Sequence, residues 1–176
     1  MPIRLHIFGA PGAGTTTLGR NLAQLWDIPH LDTDDFHWFT DDPLPYRRRR
    51  NPEHRRQLLA AVLDGHEHWV LSGALCGWGD PFIPRFDAVI WLWLPTPIRL
   101  ERIRKRETAR YGSARIDPGG DLHQVYQSFL RWAADYDDAS GRIRSRAAEE
   151  AWLEGLPCPV TRMCYVPPIS DRKTSY

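Results

Sequence analysis

The sequence predicts an α/β fold in three layers, a parallel sheet with helices on both faces. Three observations carry this. Short β-rich runs alternate with helical apolar patterns along the chain, and such alternation implies right-handed crossovers between parallel strands. The run Phe86–Leu94 is almost continuously apolar, as in a strand covered on both faces. A glycine-rich turn from Gly9 to Gly14 separates the first strand pattern from the first helical one.

In chain order, Ile3–Phe8 is a buried strand. Leu18, Leu22, Leu25 and Trp26 then mark one face of a helix. Ile28–Leu31 is a second strand, ended by Asp32-Thr33-Asp34-Asp35, and a polar, proline-broken stretch with four arginines, Arg47–Arg50, follows. Asn51 as N-cap and Pro52 at the first helical position open a helix with Leu58, Ala61 and Val62 as its apolar face, and Gly65 can end it. His68–Ser72 reads as a third strand, 73–84 as a loop and Phe86–Leu94 as the fourth strand. Thr96 and Pro97 start a helix that runs to about Tyr111, and Tyr111–Asp121, with three glycines and a proline, is a loop. Leu122, Val125, Tyr126, Phe129, Leu130 and Ala133 outline an amphipathic helix, Ile143–Leu156 another, Pro159–Val166 a last strand and Asp171–Tyr176 a frayed tail.

The 176 residues suit a single domain, 1–176, without a repeat or linker. With 42% hydrophobic and 26% charged residues, long disorder and collagen are excluded, and the longest apolar run is too short to span a bilayer. The first eight residues lack signal-peptide features, and Cys76, Cys158 and Cys164 lack metal spacing. A cytoplasmic protein with reduced thiols is the expectation. The net charge of +1 gives no global field toward nucleic acid or membrane, and neither is expected as a partner. Of 23 cationic residues only Lys105 and Lys173 are lysines.

Gly9-x-x-x-x-Gly14-Thr15-Thr16, set between strand and helix, fits the Walker A pattern. Glycines let successive backbone N–H groups converge on one anion, and the helix N-terminus adds free donors. Gly9, Gly12, Ala13, Gly14, Thr15, Thr16 and Thr17 are therefore candidate phosphate-binding residues, although such a turn also serves purely structural ends. Thr16 stands where a hydroxyl ligates Mg²⁺. Thr15 occupies the lysine position. Exchanging a charged for a neutral donor weakens phosphate binding by about 1–2 kcal/mol, so the cation comes from elsewhere, or the protein is slow, or it only binds.

On these residues the chain resembles the P-loop small-molecule kinases: adenylate and other nucleoside monophosphate kinases, with shikimate and gluconate kinases. It is most similar to the bacterial adenylate-kinase-like, or topology modulation, branch with its Gly-x-Gly-Thr-Thr-Thr loop. The matching segments are Gly12–Thr17, Leu31–Asp34, Trp69–Gly73 and Arg99–Arg106, in family order over residues 3–166. The resemblance implies a five-stranded parallel sheet of order 2-3-1-4-5, an acceptor-binding region at about 34–65 and a lid at about 111–121. It also implies ATP and Mg²⁺ as cofactors and phosphoryl transfer to a nucleoside monophosphate or a small hydroxyl metabolite. The Walker lysine is missing, Ser72 replaces the acid that nucleoside monophosphate kinases carry there, and the tail looks too short for a closing helix. Adenylate specificity is therefore not implied. An Asp-x-Asp after strand 2, as in shikimate-type kinases, fits Asp32 and Asp34 better.

Ligands of open α/β sheets bind at the carboxyl edge of the strands, where Asp32 and Asp34 fall. Asp32 is a candidate Mg²⁺ ligand through water, and Asp34 a catalytic orienter or base; a solvated turn or helix cap is the structural alternative. Arg99, Arg102, Arg106 and Arg110 form a stripe leading into the glycine-rich loop. Arg102 and Arg106, at the family's Arg-x-x-x-Arg spacing, are the candidate catalytic clamps, against the alternative of a solvated helix face. Arg47–Arg50 is a solvated run or an anion site, and Trp38 and Trp78 stack on a substrate or simply pack. The leading expectation is a phosphotransferase. The alternatives are a nucleotide-binding regulatory protein with little or no kinase activity, because Thr15 replaces the lysine, and an adaptor that uses Arg47–Arg50.

Overall fold

The computed structural model describes residues 3–39, 41, 46–138 and 141–164. Five strands form one sheet: β1 (Arg4–Gly9), β2 (His30–Asp32), β3 (Trp69–Ser72), β4 (Ala88–Leu92) and β5 (Val160–Met163), ordered β2-β3-β1-β4-β5 and parallel throughout. This is the five-stranded order that the resemblance implies. Around it lie α1 (Thr15–Trp26), α2 (Thr33–His37), α3 (Pro52–Asp64), α4 (Thr96–Tyr111), α5 (Ser113–Ile116), α6 (His123–Ala134) and α7 (Arg146–Glu154), with a 3₁₀ turn at Asp80–Arg85.

Two apolar layers sandwich the sheet. Phe8, Leu71, Val89 and Trp91 pack with Leu59, Leu63 and Leu153 on one face, and Ile7, Val70 and Leu92 pack with Ala13, Ala23 and Tyr136 on the other. The central strands are buried on both faces, which explains their continuous apolar runs.

Two helical faces differ from the pattern read in the sequence. On α1 the buried residues are Gly19 and Ala23, while Leu25 is 75% exposed and Trp26 is also exposed. Small residues win that face because α1 lies close against the sheet: a Cβ on Gly19 would stand 2.8 Å from His30 Nε2. On α3 the buried stripe is Arg55, Leu59 and Leu63 rather than Leu58, Ala61 and Val62. Asn51 does cap this helix, accepting from the His54 amide at 2.8 Å.

Segment 33–37, read as irregular, is helical, because the Asp32 side chain caps it by accepting from the Asp34 amide at 3.1 Å. The glycine-rich stretch after α4 contains α5, with Ile116 buried and Arg115 bridged to Asp121 at 2.6 Å. The last helix is shorter than the sequence pattern, Arg146–Glu154, opened by Ser145 as N-cap. The end of the expected last strand, residues 165–166, and the tail 171–176 lie outside the described residues.

Candidate active site

The loop between β1 and α1 is shaped by glycine. Gly12 and Gly14 have φ of +83° and +103°, a region that other residues rarely adopt. A Cβ on Gly12 would also meet the Arg99 carbonyl oxygen at 2.7 Å. The first intrahelical bond of α1 runs from the Leu18 amide to the Gly14 carbonyl at 3.0 Å. The amides of Thr15, Thr16 and Thr17 precede it and remain available to a ligand.

Beside this loop lies a cleft of about 1750 Å³, larger than the ~300–1,000 Å³ of a single small-molecule site. It brings together Gly12–Thr17, Asp32, Asp34, Arg102 and Arg106. Gly9 stays beneath the cleft at the end of β1, against the Leu92 backbone.

Thr16 and Asp32 are joined directly, Thr16 Oγ1 donating to Asp32 Oδ2 at 2.9 Å. Behind Asp32 the contacts continue: Ser72 Oγ lies 3.4 Å from Asp32 Oδ2 and 2.9 Å from His30 Nε2. Burial holds the His30 pKa below its usual value, so the neutral ring is the favoured form behind the carboxylate. Asp34 keeps solvent access, yet the cleft surrounds it with protein. That desolvation, and then the negative charge of Asp32, raise its pKa above the ordinary carboxylate value.

The loop, the Thr16 hydroxyl and the Asp32 carboxylate fit a phosphate chain with its Mg²⁺. Among the described residues no group of three or more His, Cys, Asp or Glu side chains is placed to hold a metal alone.

The arginine stripe splits. Arg99 is fully buried and serves the fold, donating to the carbonyls of Leu94, Pro11 and Ala133 and pairing with Asp137 at 2.7 Å. Arg102 reaches the loop, Nη1 lying 3.3 Å from the Ala13 carbonyl. Arg106 pairs with the buried Glu107 at 2.7 Å and stands over Phe129. Arg110 donates to the Tyr46 hydroxyl at 2.8 Å.

In the same cleft three arginines each stand over a tryptophan: Arg49 over Trp38 at 5.2 Å, Arg55 over Trp78 at 5.9 Å and Arg144 over Trp132 at 5.1 Å. Among the described residues Arg49 and Arg55 make no ion pair, although Arg55 is only 8% exposed. Arg144 comes within 3.6 Å of the buried Glu149. Burial, and then the combined field of these arginines, holds the His37 pKa down to about 4. A guanidinium over an aromatic ring can still offer N–H donors to an anion.

The Arg47–Arg50 run is not one unit. Arg48 pairs with Asp41, Arg49 lines the cleft, and Arg50 is structural, donating to the carbonyls of Asp35, Phe36 and Trp38. Trp78, expected in a polar loop, is 4% exposed and part of the core. Burial pushes the Cys76 thiol up to about 12, which leaves it inert at neutral pH. Arg55 and Arg144 were not singled out in the sequence. Arg55 is visible afterwards as a charge four residues before Leu59 in the buried stripe, whereas nothing in the local pattern marks Arg144.

Fold and loop together define a protein with a P-loop, kinase-like fold. A family model described as an AAA domain matches residues 6–119, more than half of the chain, and the chain belongs to that family. It is 42% identical to the uncharacterized protein YqaC of Bacillus subtilis (strain 168), across 100% of this chain and 98% of that one. It is 26% identical to the cytidylate kinase of Archaeoglobus fulgidus over 60% of this chain and 62% of that protein, and 30% identical to that of Pyrococcus abyssi over 58% and 60%. The chain thus spans about three fifths of the length of these two kinases. Among solved structures, shikimate kinase from Acinetobacter baumannii in complex with shikimate superimposes with a TM-score of 0.48 at 18% identity, over 88% of this chain and 93% of that one.

Proposed function

We propose that this protein transfers the γ-phosphoryl group of ATP, bound with Mg²⁺, to a small anionic acceptor, either a nucleoside monophosphate or a hydroxyl metabolite. The observation that carries this is the Thr16–Asp32 hydrogen bond, with Asp34 two residues further on at the same cleft. When bound, Mg²⁺-ATP supplies the activated phosphoryl group and part of the charge neutralisation. The amides of Gly12 and Gly14–Thr17 would hold phosphate oxygens, and Thr16, its hydroxyl fixed by Asp32, would hold the Mg²⁺ together with that carboxylate.

Asp34 orients the acceptor nucleophile and takes its proton; its raised pKa brings it nearer to neutrality than an ordinary carboxylate. Arg102 and Arg106 meet phosphate charge, and Arg49, Arg55 and Arg144 seat the acceptor anion. In this reading the chain 1–176 is a single cytoplasmic domain, with acceptor region 34–65 and lid 111–121. The cytidylate kinase relatives favour a nucleoside monophosphate acceptor, and the Gly-x-Gly-Thr-Thr-Thr loop favours the topology modulation branch.

The test is a phosphoryl-transfer assay with ATP and Mg²⁺ across nucleoside monophosphates and hydroxy acids. Turnover restricted to anionic acceptors and lost in Asp34→Asn supports the proposal. Thr15 in the lysine position favours a second reading, a nucleotide-binding regulatory protein, which holds if ATP binds but no acceptor turns over.

A further inference from the structure

The loop lacks its lysine, so the phosphate charge needs another cation. The structure offers two arginines of the right reach, and they differ. Arg102 Nη1 lies 3.3 Å from the Ala13 carbonyl and 3.7 Å from where a Cβ of Gly14 would be. Arg106 lines the same cleft but is already engaged, paired with Glu107 and standing over Phe129.

Arg102 also sits on a helix that is docked onto the loop. Arg99, one turn earlier, is fully buried and donates to the Pro11 carbonyl at 3.2 Å. The backbone of Arg99 and the side chain of Ile103 close on Gly12 so tightly that a Cβ there would stand 2.7 Å and 3.1 Å from them. Residues 99, 102 and 103 of α4 therefore touch loop residues 11 to 14. Besides the Ala13 carbonyl, Arg102 has no protein partner among the described residues, which leaves most of its five N–H donors for a ligand.

We propose that Arg102 is the resident phosphate-binding cation of this loop, replacing the lysine that position 15 lacks, and that α4 holds it there before any lid closes. This rests on the nucleotide-binding reading above. A guanidinium held over the loop meets the same phosphate oxygens as a lysine from position 15, but from the neighbouring helix α4, and its planar donors engage two oxygens at once. Arg106 joins only by giving up its pairing with Glu107.

The test is a calorimetric titration of ATP into the wild type, Arg102→Ala, Arg102→Gln, Arg106→Ala, Thr15→Lys and the double variant Arg102→Ala/Thr15→Lys, with adenosine as control. Thermal melts establish that each variant is folded. Arg102→Ala and Arg102→Gln are expected to weaken ATP binding about tenfold or more while leaving adenosine binding unchanged, and Arg106→Ala to change ATP affinity less. Thr15→Lys should restore most of the loss in the Arg102→Ala background and gain less in the wild type, because the two cations serve the same charge. Unchanged ATP affinity in the Arg102 variants, a larger loss in Arg106→Ala, or no rescue by Thr15→Lys overturns the assignment while leaving the nucleotide reading standing. A wild type that binds no ATP overturns the nucleotide reading itself and this assignment with it.

Discussion

The two walls of the cleft handle charge in opposite ways. On the loop side, Arg99, fully buried, has a carbonyl, hydroxyl or carboxylate acceptor for each guanidinium nitrogen. On the opposite side, Arg55 is nearly as buried but, among the described residues, makes one hydrogen bond, to the Arg50 carbonyl, and stands over Trp78. A buried cation without a counter-ion destabilises a fold unless something else compensates. The first arrangement builds structure, and the second stores an unmet demand for an anion. The paired wall carries the rigid loop, and the unpaired wall is where the proposed acceptor sits.

The largest expected effect lies between the walls. Asp34→Asn should lower turnover by about 10²–10⁴-fold while leaving the melting temperature near that of the wild type; a smaller loss would remove Asp34 from proton transfer. In the same assay, the acid limb of the kcat profile should lie above the ordinary carboxylate range, because burial and Asp32 raise the Asp34 pKa. Asp32→Asn should move that limb to lower pH.

An acid titration reads the stability of the sheet beneath both walls. His6 on β1 is stacked between Phe8 and Phe86 at 5.1 and 5.0 Å, and burial lowers its pKa from 6.5 to about 4. Between those values the unfolded chain binds a proton that the folded chain refuses. Stability is therefore complete above pH 6.5 and declines on acidification toward pH 4, by roughly 3 kcal/mol over the window. Denaturant melts of the wild type and His6→Phe check this: the variant should show a flatter acid limb.

Arg55→Met tests the unpaired wall. It should raise the acceptor KM by about 10–100-fold, leave ATP affinity unchanged, and cost no stability, since an uncompensated buried charge is exchanged for an apolar side chain. A destabilised variant would place Arg55 with Arg99 as a structural residue.

The smallest effect concerns Glu149. It is fully buried, accepts from Trp91 Nε1 at 2.9 Å and the Tyr136 hydroxyl at 2.5 Å, and holds Arg144 loosely. Glu149→Gln keeps the shape but removes the charge that tethers Arg144. A loss of about 1–2 kcal/mol in stability, with a modest rise in acceptor KM, is expected in melts and initial rates.

Backbone-level features were the legible ones. The glycine loop, the bounds of α4 and the Asn51 cap follow from local chemistry, and the structure has each where the sequence places it. What escaped depends on which face of a regular element meets the sheet. Arginine spacing along α4 does not reveal that Arg99 turns into the core while Arg102 stops at the loop, because that depends on how α4 docks against Pro11 and Gly12. Leu25 matches an amphipathic pattern but lies beyond the contact that Gly19 and Ala23 make. In the site, Asp32 and Asp34 were legible from their strand-end position. Arg144 was not, because it joins Asp34 only through chain folding over more than a hundred residues.

The arginine–tryptophan stacks give this cleft an optical property of its own. Trp38 and Trp132 line the wall with a guanidinium resting on each ring. An anion that draws Arg49 or Arg144 away changes the electric field at the indole, and with it the colour and yield of its emission. Occupancy of the acceptor side can thus be followed by intrinsic fluorescence without a label. Trp38→Phe and Trp132→Phe, set against the other six tryptophans as background, would report which stack a given ligand opens.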